Sequence, residues 1–197
     1  GYNTRSLYSA LFLMRDVLAE AGLKSWAQKM MAWFSGLGRI YEPFEQSYAN
    51  ADILNTKLQG MLASILMLDH EEQKVFHLRR FTQWLNHGLM PAPGLMPAFK
   101  VDGSGYHHMG FYPAYTRDAF RGLTPVIMIL SNTAYRISEE AHETVKKALM
   151  NSRLYANTHE MLVSAAGRHP TGKEKIVSEP FKYLALANRF GDCCTGF

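Results

Sequence analysis

Five side chains that can bind acids or carry protons lie close together near the middle of the chain. They are Tyr106, His107, His108, Tyr112 and Tyr115. An imidazole can hold a carboxylate or accept a proton, and a tyrosine can transfer a proton when neighbouring cations lower its pKa. The stretch therefore indicates a reaction on an acidic substrate, with His108 and Tyr115 as candidate groups and Tyr112 between them.

The backbone around these side chains is predicted to be irregular. Glycines and Pro113 interrupt any helical pattern between positions 102 and 115. The insertion begins near Met90 and runs for about 25 residues, and connections of that size in a compact domain are usually functional or disordered. Because this one is rich in aromatic residues, we predict a functional insertion.

A second loop, at positions 165–170, brings Arg168 and His169 between predicted helices. A guanidinium can hold a carboxylate through two parallel hydrogen bonds. We therefore predict that Arg168 and His169 complete the same site.

Metal chemistry is not predicted for this chain. His142-Glu143 lacks the second histidine of a metalloprotease helix, since Lys146 stands at that position. The neighbours His107 and His108 should diverge on a regular backbone and so make poor joint ligands. Cofactors are not expected either.

Two other catalytic classes are disfavoured. Gly103 and Gly105 are followed by a glycine only at Gly110, with no preceding strand, which does not match a dinucleotide-binding fingerprint. A glycosidase needs two carboxyl groups facing one bond, and the insertion offers only Asp102. Asp118 is typical of a helix start.

Composition sets wider limits. The chain has 197 residues, 47% of them hydrophobic and 19% charged, which is ordinary for a globular domain. A net charge of +4 favours an anionic partner, but the basic residues are scattered, so nucleic-acid binding is not predicted. The apolar run at 58–68 is too short to span a bilayer, and no N-terminal signal segment is visible. Cys193 and Cys194 are adjacent, so neither a disulfide framework nor a zinc site is expected.

Apolar periodicity predicts about seven helices in sequential pairs, with no alternating strands. The predicted helices cover 4–21, 25–34, 51–68, 69–88, 118–130, 138–155 and 181–189. Asp69 with Glu72 matches a capping box, Ser138 is a typical N-cap, and Pro180 suits a first helical position. Pro125 should kink its helix or mark its true start. The fold class is all-α, an array of antiparallel helical hairpins.

Two motifs carry a resemblance to a known family. The segment Asp102-Gly-Ser-Gly-Tyr-His-His-Met-Gly-Phe-Tyr-Pro-Ala-Tyr115, followed by Ala119-Phe120, resembles the active-site segment of chondroitin-ABC-type lyases. These belong to the polysaccharide lyase family that also holds the hyaluronate and chondroitin AC lyases. Ala166-Gly-Arg-His-Pro170 is similar to that family's second motif. The segment Phe12-Leu-Met-Arg-Asp-Val-Leu18 is also similar to the family, though less specific.

The resemblance implies an (α/α) toroid that cleaves uronic-acid-containing glycosaminoglycans, such as chondroitin and dermatan sulfate, by metal-free β-elimination. It implies that His108, Tyr115 and Arg168 are catalytic. We assign substrate contacts to His107, Tyr112 and His169.

The family's toroid is longer than this chain and is followed by β-rich domains. We therefore expect residues 1–197 to form a single α-helical domain, the second half of such a toroid, without the β-rich domains. The resemblance also implies an acidic polysaccharide partner and a periplasmic or secreted location, with no membrane partner and a homodimer as one arrangement. The alternative is a non-catalytic helical fragment that binds carbohydrate or serves as a scaffold.

Overall fold

Helices make up most of the described chain, as the sequence predicts. The structure is a computed structural model and describes residues 3–157, 159–166 and 175–187. The α-helices in these ranges are α1 (Arg5–Leu13), α2 (Arg15–Glu20), α3 (Lys24–Ser35), α4 (Ala51–Thr56), α5 (Leu58–Leu66), α6 (Glu71–Gly88), α7 (Pro113–Leu130), α8 (Glu139–Asn151) and α9 (Glu179–Leu186). Short 3-10 helices cover Leu37–Tyr41, Phe44–Gln46 and Val163–Ala165. The all-α class is confirmed, while the toroid stays a prediction.

Two of the predicted helices are each divided in two. The helix predicted at 4–21 breaks at Met14, where the Arg15 guanidinium donates to the Phe12 carbonyl at 3.1 Å and lies over the Phe12 ring. The helix predicted at 51–68 breaks at Lys57. Just before that break the Thr56 hydroxyl donates to the Asp52 carbonyl at 2.8 Å, a contact that often bends helices.

The start of α6 differs from its predicted capping box. The helix begins at Glu71 after His70, without a side-chain cap. Asp69 instead pairs with Lys24 of α3, so its carboxylate joins two helices rather than capping one.

The start of α7 was also predicted incorrectly. This helix begins at Pro113, five positions before Asp118, and continues through Pro125 to Leu130. A proline fits the first turn because its missing N–H would have no helical partner there. The helix predicted at 138–155 ends earlier, at Asn151, but Ser138 caps it as expected by accepting from the Ala141 N–H at 3.2 Å.

The prediction of no strands is wrong. A small antiparallel sheet consists of β1 (Ala98–Phe99), β2 (Gly105–His107) and β3 (Gly110–Phe111), in that order. Ala98 pairs with Tyr106, and His107 pairs with Gly110. Strands of two or three residues are too short to show an alternating pattern, which explains why the sequence does not reveal them.

Helix α7 lies at the centre of the fold and packs against α4, α5, α9 and β2. A side chain at Gly122 would place its Cβ 2.0 Å from the Leu54 carbonyl oxygen, so the absence of one lets α4 approach α7 closely. Phe120 of α7 stacks on Phe99 of β1 with ring centroids 5.6 Å apart. The sheet and α4 are therefore both fixed to the same helix.

A second, smaller core lies under α1 and α3, where Tyr8 and Met31 are buried. The methionines predicted to fill the core do so at Met31, Met61 and Met67, whereas Met30 is half-buried. On the other side of α3, Trp26 and Trp33 remain exposed. None of the described helices is long and apolar enough to cross a bilayer.

Candidate active site

His108 and Met109 form the two-residue turn between β2 and β3. Both have left-handed backbones, with φ of 50° and 62°, as the favoured hairpin turns require. Non-glycine residues rarely adopt this conformation, and such residues cluster at functional sites. The turn brings the two histidine rings together, with centroids 4.1 Å apart. The expectation that adjacent histidines diverge holds for a regular backbone, and this left-handed turn is not regular.

Tyr115 lies in the first turn of α7 and not in an irregular segment as predicted. Its ring centroid is 4.5 Å from that of His107, 5.4 Å from that of His108 and 4.8 Å from that of Tyr112. The hairpin and the helix start thus bring together four of the six predicted site residues. Tyr115 and His107 are buried, Tyr112 is half-buried and His108 is exposed.

Close backbone contacts fix the hairpin against the helix start. The Tyr112 N–H donates to the Gly105 carbonyl at 2.9 Å. A side chain at Gly105 would place its Cβ 1.7 Å from the Thr116 hydroxyl oxygen. Gly105 therefore lets β2 lie directly on α7, and this contact positions the histidines beside Tyr115.

A cavity of about 650 Å³ opens at this ring cluster. Its lining comes from the start of α4, the proline-rich segment before β1, and the hairpin turn: Asn50, Asp52, Pro93, Gly94, Leu95, Met96, Pro97, His107, His108 and Met109. A cavity of this size suits a small ligand or a short stretch of a polymer.

Sequence reasoning missed Asn50 and Asp52. Asn50 caps α4 by accepting from the Ile53 N–H at 2.9 Å, and an Asp52 carboxylate oxygen lies 3.4 Å from Nε2 of His107. An asparagine cap followed by an acid is an ordinary helix start. The local sequence therefore contains no signal that would place Asp52 beside a histidine 55 positions away.

Asp102 stabilises the loop before β2 and is not among the residues that line the cavity. Its carboxylate accepts hydrogen bonds from the Ser104 hydroxyl at 2.7 Å and the Ser104 N–H at 2.8 Å. These bonds, the hydroxyl first, lower the pKa of the Asp102 carboxyl. Asn151 and Lys147 of α8 donate to the carbonyls of Asp102 and Val101. The loop is thus held by the Asp102 carboxylate within it and by two hydrogen bonds from α8.

Most of the second predicted motif lies outside the described residues. Arg168 and His169 lie outside the described residues, as do Cys193 and Cys194. Lys175 lies beyond the second motif, and its carbonyl accepts a hydrogen bond of 3.4 Å from Arg117 of α7. Arg117 itself is buried. The chain therefore returns to α7 two residues beyond Tyr115.

The candidate metal positions have structural contacts. His142 is buried in α8, and Glu143 pairs with Lys146 at 3.5 Å. No group of three or more histidine, cysteine or acidic side chains suited to a metal occurs in ranges 3–157, 159–166 and 175–187.

Comparisons with known proteins place these residues in a family. A family model described as "Lyase, catalytic" matches residues 1–192. Chondroitin sulfate ABC exolyases from Proteus vulgaris and Bacteroides thetaiotaomicron are 44% and 40% identical to the chain, each over 95% of its length. A chondroitin sulfate ABC endolyase from Proteus vulgaris is 27% identical over the same share of the chain.

The matched regions are 19%, 18% and 19% of these relatives, so the chain spans about a fifth of their length. The match confirms the resemblance carried by the two motifs. The chain belongs to the lyase catalytic-domain family, with chondroitin sulfate ABC lyases among its relatives.

Proposed function

We propose that the protein containing this chain is a polysaccharide lyase that cleaves uronic-acid-containing glycosaminoglycans, such as chondroitin and dermatan sulfate, by β-elimination. The observation that carries the proposal is the group of rings from His107, His108, Tyr112 and Tyr115 beside a 650 Å³ cavity. Relatives named as chondroitin sulfate lyases support the substrate class.

The reaction removes the C5 proton of a uronate and forms a C4–C5 double bond while the C4–O bond breaks. The leaving oxygen takes up a proton. A carbanion beside a charged carboxylate is unfavourable, so the site must neutralise that carboxylate and let the developing charge spread into it. A base and an acid must also lie on the correct faces of the sugar.

Tyr115 is the proposed acid for the leaving oxygen, and the base when the C5 proton is on the same face. It is held on a buried helix start, which suits a group that must keep its geometry. His108 is the proposed base for the epimer whose proton is on the opposite face. Its exposed position in the turn beside the cavity allows direct contact with substrate. Arg168, carried over from the motif, would hold the sugar or stabilise the phenolate.

Substrate contacts are proposed for His107, Tyr112 and His169. His107 lines the cavity although only 5% of the residue is exposed. Tyr112 belongs to the same ring cluster and is half-buried. The net charge of +4 agrees with an acidic polymer as partner.

We also propose a periplasmic or secreted location for the protein and a place for this chain in the second half of a toroid.

The test uses the whole protein with chondroitin sulfate, dermatan sulfate and hyaluronan. Product is measured by the ultraviolet absorbance of the unsaturated uronate. Tyr115→Phe removes only the hydroxyl and should lower product formation by about 10³-fold, the range of acid–base catalysis. Tyr135→Phe, outside the cavity lining, is the matched control and should stay near wild type.

A wild-type protein that forms no unsaturated product, or a Tyr115→Phe variant as active as wild type, would overturn the proposal. Polymer binding without product, unchanged by Tyr115→Phe and His108→Ala, would instead support the carbohydrate-binding alternative.

A further inference from the structure

Asp52 occupies a fixed position at the start of α4. The Asn50 cap orders the first turn, and the close approach of Leu54 to Gly122 fixes α4 against α7. Since α7 also holds Tyr115, the separation between the Asp52 backbone and Tyr115 is set by helix packing rather than by a loop.

The carboxylate of Asp52 faces His107, one of the two buried members of the ring cluster. Its oxygen lies 3.4 Å from Nε2 of His107, whose side chain is 6% exposed, whereas that of Asp52 is 43% exposed. The His107 ring in turn lies against His108 and Tyr115, with centroids 4.1 Å and 4.5 Å away. One histidine therefore separates Asp52 from both candidate proton-transfer groups.

We propose that Asp52 is a positioning residue, whose carboxylate orients the His107 ring and through it the rings of His108 and Tyr115. This proposal rests on the proposed lyase function. A carboxylate accepts hydrogen bonds, so its position beside Nε2 favours the His107 ring orientation that directs this nitrogen toward it. The 3.4 Å separation exceeds an ordinary hydrogen bond, and contacts of this kind often shorten when substrate binds.

A competing role for Asp52 is purely structural. An acid in the first turn of a helix stabilises it through the helix dipole. Asp16 in the first turn of α2 is a matched control, because it is also a first-turn acid but its side chain is 82% exposed and it pairs with the adjacent Arg15. A helix effect alone would lower stability in Asp52→Asn and leave the histidine and the turnover unchanged.

The first experiment tests the contact between Asp52 and His107 without an activity assay. The crystal structure of the whole Asp52→Asn protein is compared with that of the wild type at the His107 ring. Asp52→Asn should shift or rotate this ring and so change its centroid distances of 4.1 Å to His108 and 4.5 Å to Tyr115, because the carboxylate that orients it is gone. Asp16→Asn should leave both distances unchanged. Unchanged distances in Asp52→Asn would overturn the proposal.

The second experiment measures turnover. Asp52→Asn should lower kcat by about 10- to 100-fold, since small misplacement of reacting groups has effects of that size, while KM stays near wild type. Asp52→Glu, which keeps the charge, should recover part of the loss. Wild-type kcat in Asp52→Asn would overturn the role in the reaction. If the wild-type protein forms no unsaturated product, the lyase proposal fails, while a moved His107 ring in Asp52→Asn still supports the pairing of Asp52 with His107.

Discussion

Tyr115 and His108 belong to the same ring cluster but are held by two different kinds of structure. Tyr115 lies on a long helix at the centre of the core, and its neighbours Ala114, Thr116 and Arg117 are buried. His108 lies at an exposed two-residue turn whose backbone is left-handed at both positions. The two residues are only seven positions apart, and their ring centroids are 5.4 Å apart.

The difference shows two ways to hold a candidate proton-transfer group. On α7, position is maintained by burial, so the interior must be disturbed to move Tyr115. In the hairpin, position is maintained by an uncommon backbone conformation, which costs about 1–2 kcal/mol for each non-glycine residue. Stability should therefore fall when the α7 packing changes and rise when the turn is relaxed.

Gly122→Ala should have the largest effect on stability, because it disturbs the packing of α7, the helix that holds Tyr115, against α4. The new Cβ would lie 2.0 Å from the Leu54 carbonyl oxygen, and a backbone atom cannot move aside cheaply. We expect a loss of about 3 kcal/mol or more in the free energy of unfolding, measured by urea denaturation. Gly38→Ala, with no atom within 4 Å of its new Cβ, is the control and should change stability little.

Gly105→Ala should have the next largest effect, because it separates the hairpin from the helix. Its Cβ would overlap the Thr116 side chain, which can partly move, so we expect a loss of about 2 kcal/mol. Gly110→Ala, in the neighbouring strand and with open space at its Cβ, is the matched control. A Thr116→Gly substitution added to Gly105→Ala should recover part of the stability. No recovery would argue against this contact.

Met109→Gly should raise stability by about 1 kcal/mol, because glycine adopts positive φ without the penalty of a Cβ. Met109→Ala is the comparison, since it removes the same side chain but keeps the Cβ. Thermal denaturation of the two variants isolates the backbone effect. Equal melting temperatures would mean that the turn holds no conformational penalty at Met109.

Asp102→Asn should have the smallest effect, and one that depends on pH. The pKa of Asp102 is lowered in the folded protein, so its contribution is complete above the ordinary carboxyl pKa of about 3.9 and is lost as pH falls through the lowered value. Because the carboxyl is exposed and screened, the difference at neutral pH should be below about 1 kcal/mol. Melting temperatures of wild type and Asp102→Asn should therefore converge in strong acid. A difference independent of pH would contradict this assignment.

The sequence predicts those features that depend on neighbouring residues. The Ser138 cap and the helix start around Pro180 are confirmed, as is the burial of Met31 and Met61. The clustering of His108 and Tyr115 is also correct, because both residues lie in one short segment.

The features that depend on distant contacts were missed. Pro113 interrupts a helical pattern but also suits the first turn of a helix. In the structure it begins α7, and this helix packs on α4 and β2. The pairing of Asp52 with His107 joins residues 55 positions apart, and no local pattern encodes it. The close contact at Gly105 likewise becomes visible only when β2 lies on α7.

The left-handed turn at His108 also restricts how this protein can evolve or be engineered. Histidine is among the non-glycine residues enriched at such backbones, but glycine adopts them without the penalty of a Cβ and carries no imidazole. Random mutagenesis selected for heat resistance should therefore favour His108→Gly, while selection for the proposed lyase activity should reject it. A single position would then record which of the two pressures a population experienced.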